Sequence, residues 1–267
     1  MKRIVWICLL LVSAAGCAQA PGVITEVPSR PTTTPPPTAT PFVTSEPTPV
    51  QVDPRALLSF RGDFFATSGI CAECHTGSVS EAGDNISIDT RWRASMMANS
   101  ARDPYWQAEL ARMAVLEGTA PGDVEALCAA CHTPMAAYTA RQMGRSPELL
   151  GNGALSDSHP DYFLAMDGVS CTLCHQITDT DLGFPRSYSG GYQIEAQTAA
   201  EGRPAFGSFD PSSQDRAAMQ AATGFVPFQT QHLQRSEYCA TCHTLYTPVY
   251  SASGPTGDLF PAQTPYF

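Results

Sequence analysis

The residues of this chain that could do chemistry are its cysteines and histidines, and they recur in a fixed order. Eight of the ten cysteines form pairs separated by two residues, and a histidine follows the second member of every pair. The four copies are Cys71-Ala72-Glu73-Cys74-His75, Cys128-Ala129-Ala130-Cys131-His132, Cys171-Thr172-Leu173-Cys174-His175 and Cys239-Ala240-Thr241-Cys242-His243. A thiol pair at this spacing could serve as a zinc half-site or a redox disulfide, but neither requires the histidine. Two thiols followed by an imidazole are what a covalent c-type haem requires: the thiols form thioethers to the porphyrin and the histidine becomes the proximal iron ligand. The spacing therefore predicts four covalent haem c groups, with His75, His132, His175 and His243 as the proximal ligands. The eight motif cysteines leave none for structural disulfides in the mature domain.

Four six-coordinate irons need twice as many axial ligands as the motifs supply. The chain has only six histidines, so His159 and His232 are the only spare ones. At most two haems can then be bis-histidine, and the others must take methionine or another donor, or stay open. Methionine is available at Met96, Met97, Met113, Met135, Met143, Met166 and Met219. Because histidine–methionine ligation raises a haem's potential above the bis-histidine value, the four sites are expected to be unequal. Lys2 is the only lysine, which excludes lysine ligation and makes arginine the partner for haem propionates. Arg91, Arg93 and Arg112 are the candidates, the guanidinium fork being suited to bidentate pairing with a carboxylate.

The elements that must position these ligands read as mainly α and loop-rich: a multihaem cytochrome c core built around four haems, with little room for sheets. Asp103-Pro104 reads as an N-cap and first-turn proline opening a helix to about Gly118. Trp92 to Ser100 has helical spacing and would place Met96 and Met97 mid-helix. His159 lies in a loop entering the segment Asp161 to Met166. His232 precedes Cys239 by two helical turns, so it is expected to serve a haem other than its neighbour's. Met135, three residues after His132, lies on the proximal side of its own haem and could ligate only another.

Upstream, Lys2 and Arg3, the apolar run Ile4 to Val12 and the small residues Ser13-Ala14-Ala15-Gly16 read as an export signal. The apolar run is shorter than the roughly 20 residues a membrane span needs. Ala14-Ala15-Gly16-Cys17 resembles a bacterial lipobox, which makes 1–17 the leader and Cys17 the lipidation site; Ala18-Gln19-Ala20 is the competing cleavage site. Between Ala18 and Pro54 stand ten prolines and eight threonines. That composition predicts a disordered, semi-rigid tether over 18–54. It would hold a tetrahaem domain, 55–267, away from a membrane surface, with the lipid as anchor. The expected location is the bacterial cell envelope, outside the cytoplasm, on the periplasmic face or cell surface. A net charge of −10, with an isoelectric point near 4.9, argues against nucleic acid as a partner and for redox partner proteins.

The segment Trp92-Arg93-Ala94-Ser95-Met96-Met97, about twenty residues after the first haem motif, resembles a Trp-x-x-Ser-x-His element. That element occurs in the multihaem cytochrome family that includes the tetrahaem cytochrome accepting electrons from hydroxylamine oxidoreductase. The resemblance implies that Met97 takes the place of a distal histidine ligand. The terminal run Phe260 to Tyr266 also looks like a segment found mid-protein in longer bacterial multihaem cytochromes, so the chain is expected to be a truncated product.

The leading functional expectation is an electron carrier that passes electrons between a membrane-side donor and an envelope acceptor. Two alternatives stand beside it. One is a multihaem oxidoreductase in which an open haem acts on a small nitrogen or sulfur oxyanion, aided by Tyr105, Tyr162, Tyr238 or Tyr246. The other is a haem subunit of a larger conduit complex.

Overall fold

The structure is a computed structural model that describes residues 59–116, 120–195, 202–251 and 254–263. The leader, Cys17 and the 18–54 tether lie outside the described residues. No helix among the described residues is long and apolar enough to cross a membrane.

The described residues are helix-rich, as expected. The helices are α1 (Ser68–His75), α2 (Ile88–Arg93), α3 (Pro104–Ala114), α4 (Pro121–His132), α5 (Pro134–Gln142), α6 (Tyr162–Met166), α7 (Cys171–Cys174), α8 (Ser213–Thr223) and α9 (Ser236–His243). Proline opens α3, α4 and α5, where its missing N–H is not needed. Asp103 caps α3 as expected, its carboxylate accepting from the Tyr105 N–H at 2.9 Å. The helix predicted from Trp92 to Ser100 ends instead at Arg93. Met96 and Met97 lie in the turns that follow, which the Ser95 hydroxyl and the Asn99 amide stitch to the backbone. The residues between His232 and Cys239 are likewise not one helix. A 3₁₀ turn at His232–Gln234 stops at Arg235, whose extended backbone separates it from α9.

Four strands depart from the expected near absence of sheet: β1 (Arg203–Gly207), β2 (Phe225–Gln229), β3 (Leu245–Ser251) and β4 (Gly254–Gln263). β1 and β2 pair in parallel with α8 as the crossover between them, and β3 and β4 form an antiparallel hairpin. Proline stands inside each strand, at Pro204, Pro227, Pro248 and Pro261. A two-stranded sheet has an open edge on each strand, and proline is tolerated there because no ladder partner needs its N–H.

The main core gathers Leu110, Met135, Leu164 and Leu173 from the helices and Phe65 and Leu149 from loops. A smaller core of Ala66, Ala205 and Phe225 underlies the β1–α8–β2 unit, with Ile70 and Met219 packed against it.

Candidate haem sites

Three of the four motifs form the last turn of a helix, in α1, α4 and α9, each ending on the motif histidine; in α7 the histidine is the residue just past the helix. In helical geometry, positions separated by three and four residues share a face. The first cysteine, second cysteine and histidine of each motif stand in that relation, so two thiols and an imidazole are presented together. All eight motif cysteines are unpaired by disulfides, and among the described residues no group of three or more His, Cys, Asp and Glu converges as it would around a bare metal ion.

The motifs meet in a definite order. The Cys71 and Cys171 thiols lie beside each other, and this proximity, then burial, pushes the Cys71 thiol well above its ordinary range. Cys131 and Cys242 make the matching contact between the second and fourth motifs. The Tyr238 hydroxyl, beside Cys239, donates to the Cys174 carbonyl and joins the fourth motif to the third. Following these contacts, the spatial sequence of motifs is first, third, fourth, second.

Two polar devices hold these pairs. Asp167, fully buried, accepts from the Ser68 N–H and the Ser68 hydroxyl, both at 2.7 Å, from the Ser170 hydroxyl, and from Arg93 Nη2 at 3.3 Å. Ser68 opens α1 and Ser170 immediately precedes Cys171, so one carboxylate fixes the starts of the first and third motifs. Thr172 adds a second tie through its hydroxyl, which donates to the Ala66 carbonyl at 2.6 Å. Between the second and fourth motifs lies Gly190, whose N–H donates to the Thr241 carbonyl at 2.7 Å. Neighbouring Tyr192 donates its hydroxyl to the Ala130 carbonyl at 3.3 Å.

The proximal histidines differ in how they are held. Nδ1 of His132 lies 3.0 Å from the Ser100 carbonyl, and the ring stacks on Trp106 with centroids 4.4 Å apart. Burial holds this imidazole below its usual pKa range. Nδ1 of His175 faces the Phe206 carbonyl in β1. A carbonyl only accepts, so in both rings Nδ1 carries the hydrogen and Nε2 keeps a lone pair for iron. His75 and His243 are exposed at the ends of α1 and α9.

The expected distal ligands are placed differently. His232 is 7% exposed, its Nε2 2.8 Å from the Ile177 carbonyl and its Nδ1 against the Thr230 hydroxyl at 2.6 Å. Nδ1 of His159 accepts from the Asp161 N–H at 3.1 Å. Both bonds place the hydrogen on Nε2, the opposite tautomer from His132 and His175, so ligation through Nε2 requires either ring to exchange its hydrogen bond. Met97 is 46% exposed; its carbonyl accepts from the Val169 N–H at 3.0 Å, and the Trp92 indole donates to the Val169 carbonyl at 2.9 Å. The Trp-x-x-Ser-x-Met element therefore lies along the chain leading into the third motif. Met135 is fully buried in the core, its sulfur 3.5 Å from the Thr172 hydroxyl.

A covalent haem asks the chain for a thiol and imidazole donor set, apolar walls and a cation for its carboxylates. Between the first and third motifs lies a cavity of about 280 Å³ lined by Cys71, His75, Cys171, His175, Phe206 and Phe228, among others. Beside it, Arg93 bonds to Ser68 at 2.8 Å while its Nε and Nη1 are buried without a hydrogen-bond partner. Donors, walls and an under-used guanidinium all fit the group. Arg112, by contrast, is paired with Glu109 on its own helix, and Arg91 donates to the Asn85 carbonyl.

Residues 70–176 match the model of the family described as cytochrome c554 and c-prime. The matched stretch takes in the first three motifs and the Trp92 to Met97 element. Among solved structures, the chain is similar to a penta-heme cytochrome c552 from Thermochromatium tepidum, at 20% identity and a TM-score of 0.43. The likeness covers 69% of this chain and 47% of that one, so the chain spans about half the length of the structure it matches. No curated protein matches. With the repeated motifs, the family match supports a multihaem c-type cytochrome and electron transfer as its general role.

Sequence reasoning did not single out Asp167, Gly190 or Ser100. Ser100 acts through its backbone carbonyl, which no side-chain pattern reveals. Asp167 had a local signal, since it stands four residues before the third motif in an otherwise uncharged stretch from Tyr162 to Cys174.

Proposed function

We propose that this protein is an envelope electron carrier holding four covalent haems, one on each Cys-x-x-Cys-His motif, and passing electrons between a membrane-side donor and an envelope acceptor. When bound, each haem supplies a one-electron ferric/ferrous couple. The chain attaches each group through two cysteines, sets its orientation through the histidine, and tunes it by ligand, burial and nearby charge. The observation that carries the reading is the adjacency of the four motifs: Cys71 lies beside Cys171, Cys131 lies beside Cys242, and Tyr238, just before the fourth motif, donates to the Cys174 carbonyl. A solitary catalytic haem has no use for such a series; a conduit needs it.

The tyrosines considered for an enzyme do not support one shared oxyanion pocket. Tyr105 is exposed on α3, Tyr238 is bonded to a carbonyl, and Tyr246 stacks on Tyr188. The reading extends to a lipid anchor at Cys17, a 1–17 leader and an 18–54 tether that lifts the 55–267 domain from the membrane. Redox proteins are its partners, and it resembles the tetrahaem cytochromes linked to hydroxylamine oxidoreductase. Met97, His159 and His232 are its proposed distal ligands.

A second reading, an oxidoreductase with one open haem, is favoured by the hydrogen bonding of His159 and His232, which leaves fewer distal donors ready than the irons need. Reductive titration with spectroscopy under nitric oxide or cyanide separates the two. A carrier shows reversible one-electron steps with all haems low-spin and unaltered by either ligand; a haem that binds them contradicts the carrier reading.

A further inference from the structure

His75 and His175 both line the cavity between the first and third motifs, so on the tetrahaem reading it borders two iron sites. Neither His159 nor His232 lines it, and neither does Met97. The thioether that does is Met219.

Met219 reaches the cavity because of how α8 is built. Arg216, Met219 and Thr223, three and four residues apart, are the half-buried positions of a helix whose other residues are exposed. Arg216 fixes this face on β2 by donating to the Pro227 carbonyl at 2.6 Å, with its guanidinium over the Phe228 ring. The Thr223 hydroxyl donates to the Met219 carbonyl at 2.6 Å, and the Arg61 guanidinium binds the Ala222 and Thr223 carbonyls that end the helix. The helix thus spans β1, whose Phe206 carbonyl orients His175, and β2, and carries its only methionine on the inward face.

Packing against Ala66, Ala205 and Phe225 accounts for part of that placement. It does not account for a thioether being the donor offered where two irons need distal ligands. Asp89 also lines the cavity, but its hard carboxylate is a poorer match than a thioether to c-type haem iron.

We propose that Met219 is an axial ligand to one of the two irons in this cavity. The inference rests on the tetrahaem reading and adds a methionine that the Trp-x-x-Ser-x-Met resemblance does not supply. With six histidines and Met97, Met219 brings the ligand set to the number that four six-coordinate irons require.

The test uses the purified haem-loaded protein, with covalent haem content measured first. That count tests the tetrahaem reading by itself. In chains of full haem content, Met219→Leu keeps the packing volume and is expected to lose part of the thioether-to-iron charge-transfer band of the oxidised protein; the remainder goes when Met97 is also replaced. Met219→His is expected to keep every haem low-spin while lowering one reduction potential. If Met219→Leu does not accumulate, the histidine variant decides. A band unchanged in Met219→Leu, a band absent from the native protein, or four unshifted potentials in Met219→His overturns the assignment.

Discussion

Gly190 lies so close to Ala130 that a Cβ built on the glycine would stand 2.6 Å from the Ala130 Cβ, and its φ of +80° is one that side chains rarely adopt. Ala130 lies between Cys128 and Cys131, while the Gly190 N–H holds Thr241 between Cys239 and Cys242. The glycine is therefore the spacer that lets the second and fourth motifs approach. Gly190→Ala combines a left-handed backbone with overpacking and is expected to cost about 2 to 4 kcal/mol. Guanidinium unfolding of the haem-loaded variant measures this, and an unchanged midpoint would contradict the close approach.

Asp167 makes the corresponding link for the first and third motifs. Asp167→Ala removes the acceptor for Ser68, Ser170 and Arg93 and leaves a largely buried guanidinium unpaired. The expected loss is about 3 kcal/mol, the scale for breaking one side of a buried ion pair. Asp167→Asn keeps one carbonyl acceptor and should fall between the two, as read from the same unfolding curves. Equal stability of all three proteins would mean that the four hydrogen bonds contribute nothing net.

The α8 cap gives a pH dependence of known sign. The Ser212 hydroxyl, then the Ser212 N–H, hold the Asp215 carboxyl below its ordinary range. A depressed folded pKa contributes stability that is present above the ordinary carboxylate value and is lost as pH falls through the folded one. The stability difference between the native chain and Asp215→Asn should therefore be present at neutral pH and shrink below about pH 4. A difference that grows on acidification would reverse the assignment.

Much of the haem chemistry was legible in the residues, because the motif spacing of three and four encodes a shared helical face whatever the tertiary fold. The α3 cap was legible for the same local reason. The strands were not: Pro204, Pro227, Pro248 and Pro261 argue against sheet until it is known that each sheet has two strands and only edges. The distal ligands were the hardest to read. The tautomers of His159 and His232 are set by Asp161 and Ile177, contacts that sequence spacing does not specify, and Met219 reaches its cavity only through the crossover of a β–α–β unit. The Trp92 to Met97 element was legible as a motif but not as a conformation, since the Ser95 and Asn99 side chains bond to the backbone and favour turns over continued helix.

Met97 carries its own prediction. If it ligates iron, Met97→Ala converts one haem to high-spin and lowers one potential, as seen in the electronic spectrum and a redox titration. An unchanged spectrum removes Met97 from the ligand set and leaves its exposed side chain without that role.

The central claim is the number of covalent haems, and it is measured most directly by the mass of the denatured chain together with a pyridine haemochrome assay on protein matured with the c-type attachment machinery. The account predicts four haems that remain with the chain after denaturation, one fewer for each motif whose two cysteines are changed to alanine. Three or fewer on the native chain would contradict it.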